Sequence, residues 1–168
     1  MAAGDTQVSI CNKALMFLGA EAITSFTDGS VASDACSSMY TELTRTTLAM
    51  YPWSFTLAKT QLARDTATPA NEWTYQYIIP SDTLLGVPRA VRSSSASGAG
   101  LFKIWEIAQG AAGLPVLMTN ATEIHIDYQK AVNEGVMPSY FVQLLAYQLA
   151  WHMAEVITDQ TTKSEYWR

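Results

Sequence analysis

The sequence predicts an α+β protein, a helical bundle with an inserted antiparallel β-rich domain. Three observations carry that expectation. Apolar residues recur at spacings of three and four up to Met50, in near-alternation from Trp53 to Lys130, and again at three and four after Pro138. The change of period at MYPWSFTLAKTQLA, residues 50–63, is abrupt. Pro52 disfavours helical geometry at Tyr51, and bulky alternating residues follow it.

The elements follow in order. Asp5 or Thr6 can cap a first helix, expected over 8–19, in which Ile10, Ala14, Leu15 and Leu18 share a face and Gly19 ends the turn. A linker with a turn at Asp28-Gly29 leads to Ser30, which opens a second helix over 30–51. There Ala32, Ala35, Cys36, Met39, Tyr40, Leu43 and Met50 recur at helical spacing. WSFTLAK and WTYQYIIP read as strands, and Pro88 in LLGVPRAVR suggests an edge or a bulge. The tract 93–100, SSSASGAG, reads as a mobile loop or hairpin tip. LFKIWEIA and LPVLMT form a hairpin pattern around a glycine-containing connection. In TEIHIDYQK, Ile124, Ile126 and Tyr128 should face inward, and His125, Asp127 and Gln129 outward.

Pro138 suits the first position of a helix over 138–157, with Phe141, Leu144, Leu145, Gln148, Trp151 and His152 down one side. Thr162 to Glu165 then fits a capping box for a further helix, of which three residues follow. The organisation expected is one domain, 1–168, with a helical core of 5–51 and 137–168 and a β-rich insert of 53–130.

Composition narrows the function. The chain of 168 residues is 49% hydrophobic and only 15% charged, with five Trp, eight Tyr and five Phe. Low charge with many aromatics fits a protein that lives in an assembly, because such rings are enriched at interfaces as well as in cores. Net charge is −5, and no stretch clusters Lys or Arg, which argues against a groove that neutralises phosphates. The N-terminus lacks a signal-peptide pattern, and no run approaches the length of a membrane span. Cys11 and Cys36 have no metal-like spacing. The plain reading is two buried thiols in a reducing compartment, and spacing alone leaves a disulfide open.

Catalytic signals are sparse. His125 and Asp127 lie two apart on the outer face of a strand, where an acid–base or metal role needs a third group from elsewhere. The plainer reading is an exposed polar face. His152 and Glu155 have the spacing of half a di-iron motif whose other half is absent. Gly98-Ala99-Gly100 lacks the six-residue fingerprint of a phosphate loop. Tyr51, Trp53 and Phe55 with Trp73, Tyr75 and Tyr77 form either a ligand-stacking platform or, more simply, rings stacked across neighbouring strands. The expectation is therefore no enzyme, no catalytic residues, no cofactor and no metal.

The ordered set CNKALMFLGAEAITSFTDGS, SDACSSMYTELTRTTLAMYPWSF, WTYQYIIPSD and TEIHIDYQ resembles the tail tubular protein A family of short-tailed phages, and the related head–tail adaptors of long-tailed phages. The likeness rests on Asn12 to Gly19, on Tyr51 to Phe55 and on Trp73 to Pro80. It covers most of the chain without one diagnostic motif. Members usually carry more chain after the last helix than follows here.

The resemblance implies a virion protein at the neck between capsid and tail, assembled in the host cytoplasm. It implies a homo-oligomer ring, usually dodecameric, under the portal protein. The ring joins the portal to the tail tube or nozzle protein and lets double-stranded DNA pass during ejection without specific binding. Neither a membrane nor a cofactor is implied. Twelve copies at −5 each carry roughly −60, a charge that keeps a passing genome from sticking. Two other expectations stand beside this one. The first is a tail terminator or tube-capping protein. The second is a small-ligand-binding or metal-dependent enzyme using His125 and Asp127.

Overall fold

A computed structural model describes residues 4–69, 71–96, 99–110 and 113–158. The fold is mixed α+β, with three α-helices and two antiparallel sheets among the described residues. The chain divides into two compact units. One is drawn from residues up to Tyr51 and from Val132 onward, and the other is Pro52–Ala131.

In the first unit, α1 (Gln7–Leu18) begins at a reciprocal cap. The Ser9 backbone N–H donates to Thr6 Oγ1 at 3.1 Å, and the Thr6 N–H donates to Ser9 Oγ at 2.9 Å. Asp5 extends the start by pairing with Lys13 at 2.7 Å. Gly19 ends the helix in the left-handed region, φ 73°, where a side chain would be strained. The Asn12 side chain then secures the returning chain. Its amide donates to the Ile23 carbonyl at 3.0 Å, and its carbonyl accepts from the Ile23 N–H at 2.8 Å.

Helix α2 (Val31–Met50) is capped by Ser30 and ends at Tyr51, whose extended backbone (φ −144°, ψ 147°) is what the following proline requires. Met50 is two-thirds exposed rather than part of the packed face, because the burial stripe ends with Thr47 and Leu48.

Helix α3 (Ser139–Thr158) starts one residue later than expected. Pro138 is its cap, its carbonyl accepting from both Phe141 and Val142. The buried face is Phe141, Val142, Leu145, Ala146, Leu149, Ala150, Met153 and Ala154, in pairs spaced by four. Gln148, Trp151 and His152 lie off that face, so the expected side is rotated. The reason lies in the alanines. Ala146, Ala150 and Ala154 are small enough to let α1 and α2 approach, and a count of large residues passes over them.

The second unit is a pair of antiparallel sheets around one core. Its strands are β1 (Leu57–Gln61), β2 (Ala63–Arg64), β3 (Tyr75–Ile78), β4 (Ala90–Arg92), β5 (Glu106–Gln109), β6 (Pro115–Thr119) and β7 (His125–Gln129). One sheet has the order β1-β7-β4 and the other β2-β3-β6-β5. Tyr77 and Leu117 of the larger sheet share a cluster with Val91, Ile126 and Tyr128 of the smaller one. Alternation is kept in β7, where Ile126 and Tyr128 join the shared cluster, whereas β6 is buried at four consecutive positions and β2 is exposed.

Three details differ from the alternation read off the sequence. Ser54–Thr56 is a turn of 3₁₀ helix, so strand geometry begins only at Leu57. The strand expected from Leu101 begins at Glu106, because Phe102 bonds back to Val91 and its carbonyl accepts the Trp105 indole N–H. Gln129, expected outward, is 1% exposed, while Ile124, Ile126 and Tyr128 are buried as alternation requires. Pro88 precedes β4, an edge strand. The capping box at Thr162–Glu165 and Gly98 lie outside the described residues.

Candidate functional site

A concave feature of the β unit lies on the outer face of the smaller sheet. Register decides who lines it: Lys59 stands opposite Asp127, Gln61 opposite His125, and Arg92 opposite His125 on the other side. These side chains, with Ser94 and Ser95 of the following loop, border a cleft of about 670 Å³. The loop is tied to the sheet by the Arg92 guanidinium, which donates to the Ala99 carbonyl.

The structure places His125 and Asp127 on this cleft, and both already have partners. His125 Nε2 lies 2.5 Å from Glu123 Oε1, with the ring mostly covered. The Asp127 carboxylate sits between two cations, 3.7 Å from Lys59 Nζ and 3.5 Å from Arg92 Nη2. A general base needs a free nitrogen aimed at a hydroxyl or a water, and a metal needs at least three donors. Among the described residues, no group of three or more His, Cys, Asp or Glu lies together as metal ligands. The cleft lining carries the cations Lys59 and Arg92 and the single carboxylate of Asp127, which lies between them. These ion pairs cross the β1–β7 and β4–β7 pairings.

Arg92 and Lys59 were not legible as partners, and Glu123 was passed over. The first two depend on the pairing of β4 and β1 with β7, separated by tens of residues. Glu123 was readable, since the alternation of TEIHIDYQK puts it on the same side as His125 at a spacing of two.

The other sequence candidates are scattered. His152 and Glu155 are both exposed on α3, and the His152 ring lies 4.6 Å from that of Trp151. The Ala99 N–H donates to the Ala96 carbonyl, and no helix begins in the described residues from 100 to 110. The aromatic set is divided among elements: Tyr75 and Tyr77 are on β3, which pairs with β2 and β6, while Trp53 and Phe55 precede β1, which pairs with β7. Trp53 and Phe55 face each other at 6.2 Å across the 3₁₀ turn. Tyr75 lies under the Arg64 guanidinium at 3.8 Å, Tyr77 is core, and the Trp73 indole donates to Glu106 at 3.1 Å.

Apolar side chains remain on the surface of both units. Met16, Val31 and Tyr140 are exposed on the helices, and Leu101, Ile104 and Leu114 around β5. No helix among the described residues is long and apolar enough to cross a membrane. A scan against protein-family models and a search of curated proteins return no match.

Proposed function

We propose that the chain is a non-enzymatic head–tail adaptor of a phage virion. Copies form a ring, dodecameric in this reading, that joins the capsid portal to the tail and lets DNA through. In the finer description that goes with it, the fold is a helical bundle interrupted once by a β-rich domain.

The observation that carries the reading is the ordered set of sequence features, together with the work its residues do. The Asn12-to-Gly19 segment is a structural device in which Asn12 clamps Ile23 and Gly19 closes α1. Both ends of the chain contribute helices to one unit, and the residues between them make the other. The acidic balance and scattered exposed apolar residues suit a subunit that meets its own kind around a polyanion it must not hold. His125 pairs with Glu123, and Asp127 with Lys59 and Arg92, so no observation here favours the metal-dependent reading.

The test mixes the purified chain with phage portal and tail-tube proteins, followed by electron microscopy. A closed ring seated on the portal is the expected result. Capping of tube ends without portal binding moves the protein to a terminator, and no ring with either component overturns the proposal.

A further inference from the structure

Among the described residues the two sheets end on the strands β1, β4, β2 and β5. Such edges are normally blunted by a lysine, a proline, shortness or a cover. β1 holds Lys59 at its middle, and the Phe102 N–H covers the Val91 carbonyl of β4. β2 has two residues, and the Asp65 carboxylate, accepting from the Ala67 N–H, starts a turn directly after it. β5 has none of these devices. Its one charge, Glu106, is its first residue and is engaged by the Trp73 indole N–H. Around it Leu101, Ile104 and Leu114 are each more than half exposed.

The direction of the β5 backbone follows from β6. Pro115, opposite Gln109, has no N–H to give, and its carbonyl accepts from Ile79 on the far side at 3.4 Å. The neighbouring Gly110 N–H donates to the Leu114 carbonyl at 2.8 Å. Bonded and unbonded pairs alternate along an antiparallel ladder, so Ala108 and Glu106 bond to β6 as Gly110 does. The N–H and C=O groups of Ile107 and Gln109 therefore point to the open edge, and no backbone group of another described residue bonds to them there.

We propose that this edge is an interaction surface for a second copy of the chain, β5 pairing antiparallel with β5 about a two-fold axis at Ala108. Ile107 of each copy then faces Gln109 of the other, which gives about four backbone hydrogen bonds. A second copy is the occupant because the edge complements itself. Glu106 falls opposite Gly110 of the second copy, so like charges never meet, and the small Ala108 side chains face each other at the axis. The antiparallel sense also brings the Leu101 and Ile104 end of one strand to the Leu114 end of the other. Apolar side chains that lie bare in a single copy are covered in the pair. So short a strand and three such residues a side make a contact at the small end of specific interfaces, so the affinity is micromolar. A two-fold contact closes on itself, so it yields pairs in free solution and is independent of the ring proposed above.

Sedimentation of the full chain from low micromolar to several hundred micromolar should show monomer passing to dimer and to nothing larger. Hydrogen exchange over the same range should show the Ile107 and Gln109 amides slowing as the dimer forms. Gln109→Pro removes an outward N–H and leaves the bonds to β6, so the dimer should weaken at least tenfold with Tm almost unchanged. In an unbonded antiparallel pair the Cα atoms stand about 4.5 Å apart, so Ala108→Cys should give a covalent dimer under a mild oxidant. The parent chain, whose Cys11 and Cys36 are buried, should give none. A chain that stays monomeric throughout, a dimer that leaves both amides unprotected, or a dimer untouched by Gln109→Pro overturns the pairing. So does a closed ring in place of the dimer, which would leave the adaptor reading standing. Protection of the two amides only on adding tail-tube protein gives the edge to that partner and equally overturns self-pairing. The exchange measurement on the parent chain decides even where a variant fails to fold.

Discussion

The helical unit and the β unit are stabilised in different ways. The helices are specified locally: Thr6 and Ser9 cap α1 three residues apart, Ser30 caps α2, and Gly19 stops α1 at the residue where the sequence changes. Their core is almost wholly apolar, with α3 alone burying eight side chains of which none is polar. The β unit is specified by partners far along the chain. Its central pairing joins Leu57–Gln61 to His125–Gln129, and its interior admits Gln76, Thr119 and Gln129. Local signals make an element readable, whereas distant pairing makes it depend on everything between.

The largest effects should come from the two cores. Phe141→Ala should cost about 3–5 kcal/mol and Leu117→Ala about 2–5 kcal/mol, by chemical denaturation. Hydrogen exchange should show Phe141→Ala loosening α1, α2 and α3 first, and Leu117→Ala loosening the strands first. The same exchange pattern from both variants would erase the distinction between the units. Asn12→Ala should cost about 1–3 kcal/mol, because it strands the part-buried N–H and C=O of Ile23. Crystallography of that variant should find the 20–24 segment displaced and α1 intact.

Trp53→Ala probes the joint. The ring is only partly buried and packs on Phe55, so about 1–2 kcal/mol is expected, well short of a core aromatic. A loss above 3 kcal/mol would show the joint to be as well packed as either core.

Acid should act on the helical unit through its turns. Hydrogen bonds from the Ser30 hydroxyl, then from the backbone N–H groups of Ser30 and Thr24, hold the Asp28 carboxyl far below the usual range. The Lys13 ammonium lowers Asp5. Both values are depressed in the folded state, so the stabilisation is present above about pH 4 and is lost as pH falls through the folded values. Asp28→Asn should flatten that part of the Tm–pH curve. The smallest effect is Lys59→Ala, within about 0.5 kcal/mol and fading with salt, because its ion pair with Asp127 is long and exposed.

How much of this was legible follows the same division. Helix starts and stops fell within a residue or two of their caps, because a capping side chain acts on its own neighbourhood. The inward face of α3 was misjudged. Large residues such as Trp151 were weighed above Ala146, Ala150 and Ala154, though close approach needs the small ones. In the β unit, the alternation of Ile124, Ile126 and Tyr128 was readable, and so was the β5–β6 hairpin, whose strands are close in sequence. The 3₁₀ turn at Ser54–Thr56 was not, since Thr56 closes it by bonding back to Trp53 within a pattern that alternates like a strand. Of the candidate site, His125 and Asp127 were found and their partners were not. Periodicity gives a face, while only register gives the neighbour on it.

The pairing of β1 with β7 has a consequence for how the chain is made. Emerging from a ribosome at about 5–20 residues per second, β1 waits several seconds before the segment that covers its edge exists. During that interval its backbone is open to any other nascent strand. Lys59, mostly exposed in the finished protein, stands mid-strand with a charge that discourages such encounters. On this view a cation worth little to the folded molecule guards its birth.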